Sequence, residues 1–210
     1  MFNKEKRLLN QQDLIRANIP DRYWSSSYDQ IPDDCKYKKF LSRYLESIKD
    51  YSKKGEGLLF FGHYGTGKTS AGVIILKEVI SWGLSCYFAT IQEFRDNIHP
   101  GNTTKMYIDN FSEYTILERY ANVDYLLIDD LGAEKSITDL LKREFESLIR
   151  QRYNKKRPTI ITSNIIPEPK GSNSDNMLSI KDIYGEGVFS VIKESQKFTL
   201  VSGKNWRDTS

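Results

Sequence analysis

The chain has 210 residues, 39% of them hydrophobic, with thirteen Tyr and ten Phe, which suits one domain built on one sizeable core. Thirty-one Lys and Arg against 28 Asp and Glu leave a formal charge of +3, so whole-chain charge gives no argument for a nucleic-acid partner. The N-terminus lacks the apolar run of a signal peptide, no stretch approaches the ~20 residues that span a bilayer, and Cys35 and Cys86 support neither a disulfide framework nor a metal site; a cytoplasmic protein without a membrane partner is expected.

Residues 1–54 read as a polar, amphipathic N-terminal extension and lead-in segment, and 55–210 as the main domain. Lysine clusters at Lys36, Lys38 and Lys39, at Lys53 and Lys54, and at Lys155, Lys156 and Arg157 are, each alone, solvated surface. From residue 57 short apolar runs recur at 57–61, 84–89, 124–129, 158–162 and 197–201. Their apolarity is continuous rather than alternating, which predicts strands buried on both faces of a parallel sheet covered by helices. Residues 68–82 are apolar almost all round (Ala71, Val73, Ile74, Ile75, Leu76, Val79, Ile80) and stop at Gly83, predicting a buried helix. A second helix is expected over 136–153, with Ser136 and Asp139 as a capping box and an apolar stripe through Leu141, Phe145, Leu148 and Ile149. The Pro-, Gly-, Asn- and Ser-rich stretches 99–104 and 167–176 read as loops.

Three strand ends carry chemistry. Gly62-His63-Tyr64-Gly65-Thr66-Gly67-Lys68-Thr69 matches G-x-x-x-x-G-K-[ST] and lies between a predicted strand and a predicted helix, the context that phosphate loop requires. Its glycines let the backbone wrap phosphate oxygens, and its amides and the helix N-terminus supply positive partial charge. Lys68 reaches the β- and γ-phosphates and Thr69 ligates magnesium. The expected ATP contact runs from Gly62 through Ser70. Asp129 and Asp130 end the run Tyr125–Ile128, where parallel sheets bind ligands; Asp129 is expected to hold magnesium with Thr69, and Asp130 to orient or deprotonate the attacking water, with Glu134 the next candidate. Asn164, ending Thr159-Ile160-Ile161-Thr162-Ser163, is a neutral hydrogen-bonding group suited to sensing the γ-phosphate or that water.

In wording and order, GHYGTGKTS, YLLIDDLGAE and RPTIITSN resemble the DnaC/DnaI helicase loaders among AAA+ ATPases and the related IstB transposition helpers. The resemblance extends over about residues 18–207 and includes Ile19-Pro20-Asp21-Arg22-Tyr23-Trp24 and Gly203-Lys204-Asn205-Trp206-Arg207. It implies an α/β fold, a three-layer P-loop NTPase core (AAA+, RecA-like) with a five-stranded parallel sheet in the order 5-1-4-3-2. It also implies an ATPase yielding ADP and phosphate, self-association in the ATP-bound form, single-stranded DNA contact and a replicative helicase as partner. The helical insertion that faces DNA in this family corresponds to 95–119, with Arg95, His99, Lys105, Tyr107 and Tyr114 as candidate contacts. Two departures stand out. Some 55 residues precede the P-loop strand, where such loaders usually carry a separate helicase-docking domain, and a segment resembling G-E-R-V-x-S-R reads here with Gly187 and Val191 at its arginine positions. Slow hydrolysis follows unless a partner, or Arg152, Lys193 or Arg207, replaces the missing finger. The alternatives are an IstB-like transposition helper on duplex DNA and a weakly hydrolysing nucleotide-switch adaptor.

Overall fold

The computed structural model describes residues 6–99, 105–108, 112–133, 137–169 and 178–203. Ahead of the sheet run α1 (Gln11–Arg16), two 3-10 turns (Asp21–Tyr23 and Tyr28–Gln30), α2 (Lys36–Glu46) and α3 (Ile48–Lys54). The core then alternates strand and helix: β1 (Gly57–Phe61), α4 (Lys68–Ser81), β2 (Cys86–Thr90), α5 (Ile91–Asn97), a hairpin of β3 (Lys105–Ile108) and β4 (Ser112–Thr115), α6 (Ile116–Asn122), β5 (Tyr125–Leu131), α7 (Asp139–Asn154), β6 (Thr159–Ser163), α8 (Ile180–Tyr184), α9 (Glu186–Ser195) and β7 (Gln196–Leu200).

All five strands predicted from the apolar runs form, and they pair in parallel in the order β2-β5-β6-β1-β7. Counting only these strands, the order is 2-3-4-1-5, which is 5-1-4-3-2 read from the opposite edge. Side chains alternate between two cores because strand neighbours point to opposite faces. Leu58, Phe60, Phe88, Leu127 and Ile160 pack with α4, whereas Leu59, Ala89, Leu126, Ile128 and Ile161 pack with α5, α6, α7 and α9. This two-sided burial explains why the strand sequences are continuously apolar.

Helix α4 lies so close to the sheet that a Cβ on Gly72 would meet Leu127 Cδ1 at 2.9 Å. Residues Leu14, Ile19, Tyr37, Leu41, Tyr44 and Ile48 of the extension enter the same core as β1 and α4. The extension also covers the edge of β2: Phe88 N–H donates to Ala17 O at 2.8 Å and Asn18 Nδ2 to Phe88 O at 3.0 Å. An edge strand with satisfied backbone groups is a poor template for unwanted pairing.

Helix α7 starts three residues later than its periodicity predicts. Thr138, in extended backbone, is its N-cap and accepts Leu141 N–H at 3.1 Å; Ser136, the cap expected from sequence, lies outside the described residues. Between α5 and α6 the chain forms the antiparallel β3–β4 hairpin rather than the helical insertion that the resemblance implied. Most of the two predicted loops, 100–104 and 170–176, is likewise outside the described residues.

Candidate functional site

The carboxyl end of β1 opens into the phosphate loop. Gly62, Gly65 and Gly67 take φ values of 144°, 73° and 92°, a region that side-chain-bearing residues rarely adopt. At Gly62 a Cβ would also fall 2.3 Å from Val201 O, so the backbone just past β7 passes where any side chain would stand. Thr66 Oγ1 donates to His63 O at 2.9 Å, and the buried Lys68 ammonium donates to Gly62 O at 2.9 Å and His63 O at 2.7 Å, spanning the loop from within. Helix α4 begins at Lys68, so the amides of its first turn face the loop's concavity.

Beside the loop, Asp129 is 1% exposed and accepts a hydrogen bond from Thr162 Oγ1 at 2.6 Å, with the Thr69 hydroxyl near enough to favour its charged form. Burial pushes its carboxyl up to about 6 from 3.8. The Thr162 hydrogen bond opposes this, the neighbouring Asp130 charge reinforces it, and Thr69 and the Arg22 charge oppose it again. A carboxylate held in that environment gains from any cation placed beside it.

Asp130 owes its position to a bulge. Ile128 pairs with Ile161 but Leu131 pairs with Ser163, so β5 carries one residue more than β6 across this interval. Asp130 takes φ 57°, in the left-handed region, a cost of about 1–2 kcal/mol for a non-glycine residue. The bulge is fastened by Thr162 Oγ1, which accepts Asp130 N–H at 3.0 Å while donating to Asp129, and by Ser163 Oγ, which donates to Leu131 O at 2.7 Å. Breaking the alternation lets two adjacent aspartates serve one site: Asp129 below it and Asp130 on its wall. Asn164 Nδ2 donates to Asp130 Oδ1 at 3.3 Å, so the two residues expected to meet water and γ-phosphate are hydrogen-bonded to each other.

Between these elements and the lead-in segment lies a cleft of about 780 Å³. Its walls include Tyr64 through Ser70, Asp130 and Asn164. Gly62 and His63 do not line it; their carbonyls anchor Lys68 instead. Arg22, Tyr23, Ser26, Ser27, Gln30, Ile31 and Tyr37 close the other side. Residues 26–37 carry no motif that would have placed them here. Thr162 was legible in hindsight: it sits two residues before Asn164 and therefore on the same side of the strand.

Arg152 is no substitute for a missing catalytic arginine. It is 0% exposed, and its guanidinium donates to Thr159 Oγ1 and to the carbonyls of Tyr120, Val123, Asp124 and Pro158, tying α6 and α7 to the starts of β5 and β6. Burial lowers its pKa to about 9. Lys193 pairs with Glu168 at 3.4 Å on the surface; Arg207 and Glu134 lie outside the described residues. Val191 is buried in the core around α9, whereas Gly187 is partly exposed beside Glu146. Arg95 pairs with Asp96 at 2.9 Å and His99 is exposed; Lys105, Tyr107 and Tyr114 lie in β3 and β4, whose backbone alone is described.

A β1–loop–α4 unit carrying the phosphate-loop motif, with acidic β5 and polar β6 ends beside it in this strand order, defines a P-loop NTPase fold of the AAA+ type. The family of IstB-like ATP binding proteins matches residues 12–172, and the chain belongs to it. The replicative helicase loader DnaC of Buchnera aphidicola subsp. Baizongia pistaciae is 26% identical over 169 residues, 79% of this chain and 66% of its own length. The loader DnaI of Bacillus subtilis (strain 168) is 25% identical over 171 residues, 78% of this chain and 49% of its own, so this chain spans about half of that relative. A crystal structure of the DnaC helicase loader matches with a TM-score of 0.68 at 24% identity, covering 87% of this chain and 100% of its own, a likeness of fold. Among the described residues, no helix is long and apolar enough to cross a membrane.

Proposed function

We propose that the protein hydrolyses ATP to ADP and phosphate with Mg²⁺ and serves DNA replication as a helicase-loader-like ATPase, associating with single-stranded DNA, a replicative helicase and further copies of itself in the ATP-bound form. The observation that carries the ATPase reading is the buried Asp129 carboxylate near the end of β5, with the Thr69 hydroxyl of the phosphate loop near enough to favour its charged form. Magnesium fits these residues. Thr69 and Asp129 offer hard oxygen ligands, and this ion is commonly held by one or two such groups together with substrate phosphates. When bound it would neutralise charge building on the phosphate oxygens.

The chain's own groups supply the rest. Lys68 compensates phosphate charge from inside the loop, Asp130 orients the attacking water or takes its proton, and Asn164 holds the Asp130 carboxylate in place. Thr162 keeps both carboxylates in register through one hydroxyl. Single-turnover hydrolysis of ATP tests the reading directly, with Lys68→Ala as the control expected to lose nucleotide binding. Unchanged affinity and unchanged turnover in that variant would overturn the site.

The IstB-like family match favours a second reading, a transposition helper that assembles on duplex DNA. Stimulation of the ATPase by single-stranded DNA supports the loader reading, and stimulation by duplex alone supports the helper. Gly187 and Val191, at the positions of arginines in the resembled segment, favour a third, a switch that binds ATP and hydrolyses it negligibly; a single-turnover rate no faster than ATP release would support it.

A further inference from the structure

We propose that Arg22 is a phosphate-binding residue of the cleft that contacts the terminal phosphate of a bound nucleotide, so that the lead-in segment distinguishes triphosphate from diphosphate. This rests on the reading of the cleft as an ATP site.

Among the described residues, the cleft's cationic side chains are Lys68 and Arg22. They come from different elements, Arg22 from the 3-10 turn Asp21–Tyr23 and Lys68 from the start of α4. Lys68 is buried, with its ammonium on the Gly62 and His63 carbonyls. Arg22 is exposed, stacks 4.8 Å over the ring of its neighbour Tyr23, and among the described residues makes no ion pair or hydrogen bond. Among the described residues the cleft therefore holds a multiply donating guanidinium that no carboxylate pairs, although its charge acts on the Asp129 carboxyl.

The backbone beneath it is fixed. Trp24 Nε1 donates to Ile19 O at 2.8 Å, and Lys77 Nζ donates to Trp24 O at 2.7 Å and Ser26 O at 2.8 Å. Lys77 belongs to α4, the helix that opens at the phosphate loop, so Arg22 and the loop ride on one frame. A side chain projecting from a braced turn loses less freedom on binding than one on a loose loop.

The end of the nucleotide it meets follows from its neighbours. The loop grips the inner phosphates, and the tips of β5 and β6, carrying Asp130 and Asn164, face the outer one. Arg22 shares the cleft with those two residues, and its charge reaches the Asp129 carboxyl. Two carboxylates at that end repel a triphosphate, and a guanidinium across from them offsets this. Its planar fork pairs two phosphate oxygens at once, which an ammonium cannot do.

The test compares Mg²⁺-supported binding of ADP and a non-hydrolysable ATP analogue to wild type, Arg22→Gln and Arg22→Lys, with thermal unfolding confirming that each is folded. The expected result is a loss of about tenfold or more in affinity for the ATP analogue with ADP within about twofold, and partial recovery in Arg22→Lys. Equal weakening of both nucleotides, as a contact with base or ribose would give, overturns the proposal, as does an unchanged ratio. The same measurement on Lys68→Ala separates the two claims. If Lys68→Ala loses nucleotide while Arg22→Gln keeps the wild-type ratio, the Arg22 assignment fails alone; if both variants bind as wild type, the ATP-site reading fails with it.

Discussion

Replacing Asp129 by Asn exchanges stability against metal binding in a way that pH can expose. Raising a buried carboxyl from 3.8 to about 6 makes its ionised form cost about 3 kcal/mol in the folded chain at neutral pH. The folded state holds this proton more tightly than the unfolded state, so the contribution of Asp129 to stability is full at low pH. It declines as pH rises past 3.8 and is gone above about 6. Between pH 5 and pH 8 the remaining decline amounts to about 1.4 kcal/mol. In Asp129→Asn the carbonyl oxygen still accepts the Thr162 hydroxyl, while the new amide N–H must find an acceptor, a constant offset of about 1–3 kcal/mol. That offset cancels when each protein is compared with itself at two pH values. Urea unfolding without nucleotide at pH 5 and pH 8 should therefore show the stability of the variant, relative to wild type, rising by about 1.4 kcal/mol. Adding Mg²⁺ and ATP should then raise the wild-type unfolding midpoint and leave that of the variant nearly unmoved. Parallel pH dependence in the two proteins would refute the claim that burial raises the Asp129 carboxyl.

Asp130→Asn should retain ATP and Mg²⁺ binding but slow single-turnover hydrolysis by about 10²-fold or more; wild-type turnover would move the role to another residue. Arg152→Met removes donors from three buried carbonyls, the part-buried Asp124 carbonyl and a buried hydroxyl and should cost about 3–5 kcal/mol by denaturant titration, with hydrolysis per folded molecule unchanged. Gly187→Arg is expected to be tolerated beside Glu146 and to give an ATPase gain that grows with protein concentration, as an arginine acting on a neighbouring copy would. Val191→Arg should instead unfold the chain by on the order of 3–5 kcal/mol, because position 191 is core; a stable Val191→Arg protein in the same denaturant series would contradict that packing.

Strands buried on both faces leave continuous apolar runs, and so all five core strands were legible in the sequence with the phosphate loop and Asp129 at their ends. The hairpin at 105–115 was not, because two four-residue strands, KMYI and SEYT, offer too few residues for a periodicity to emerge. Arg152 was misread for a different reason. Its local pattern is that of an arginine late in an amphipathic helix, and only the tertiary packing of α6 and the β5 and β6 starts against α7 turns it into a buried hub of five hydrogen bonds.

The pair Asp129–Asp130 shows what spacing alone leaves undecided. Successive residues of a regular strand point to opposite faces, so an unbroken β5 would send one of the two carboxylates away from the phosphates. The extra residue between Ile128 and Leu131 removes that conflict, and the chain accepts a left-handed Asp130 to do so. Holding such a conformation requires surroundings that over-determine it. They are visible one strand away: Thr162 binds the side chain of Asp129 and the backbone of Asp130 through a single oxygen, Ser163 fastens Leu131, and Asn164 fastens the Asp130 carboxylate. Thr162 and Ser163 at the end of β6, with Asn164 just after it, are thus the counterpart of two consecutive acids in β5. The strained geometry belongs to neither strand alone: Thr162, on β6, holds both acids of β5.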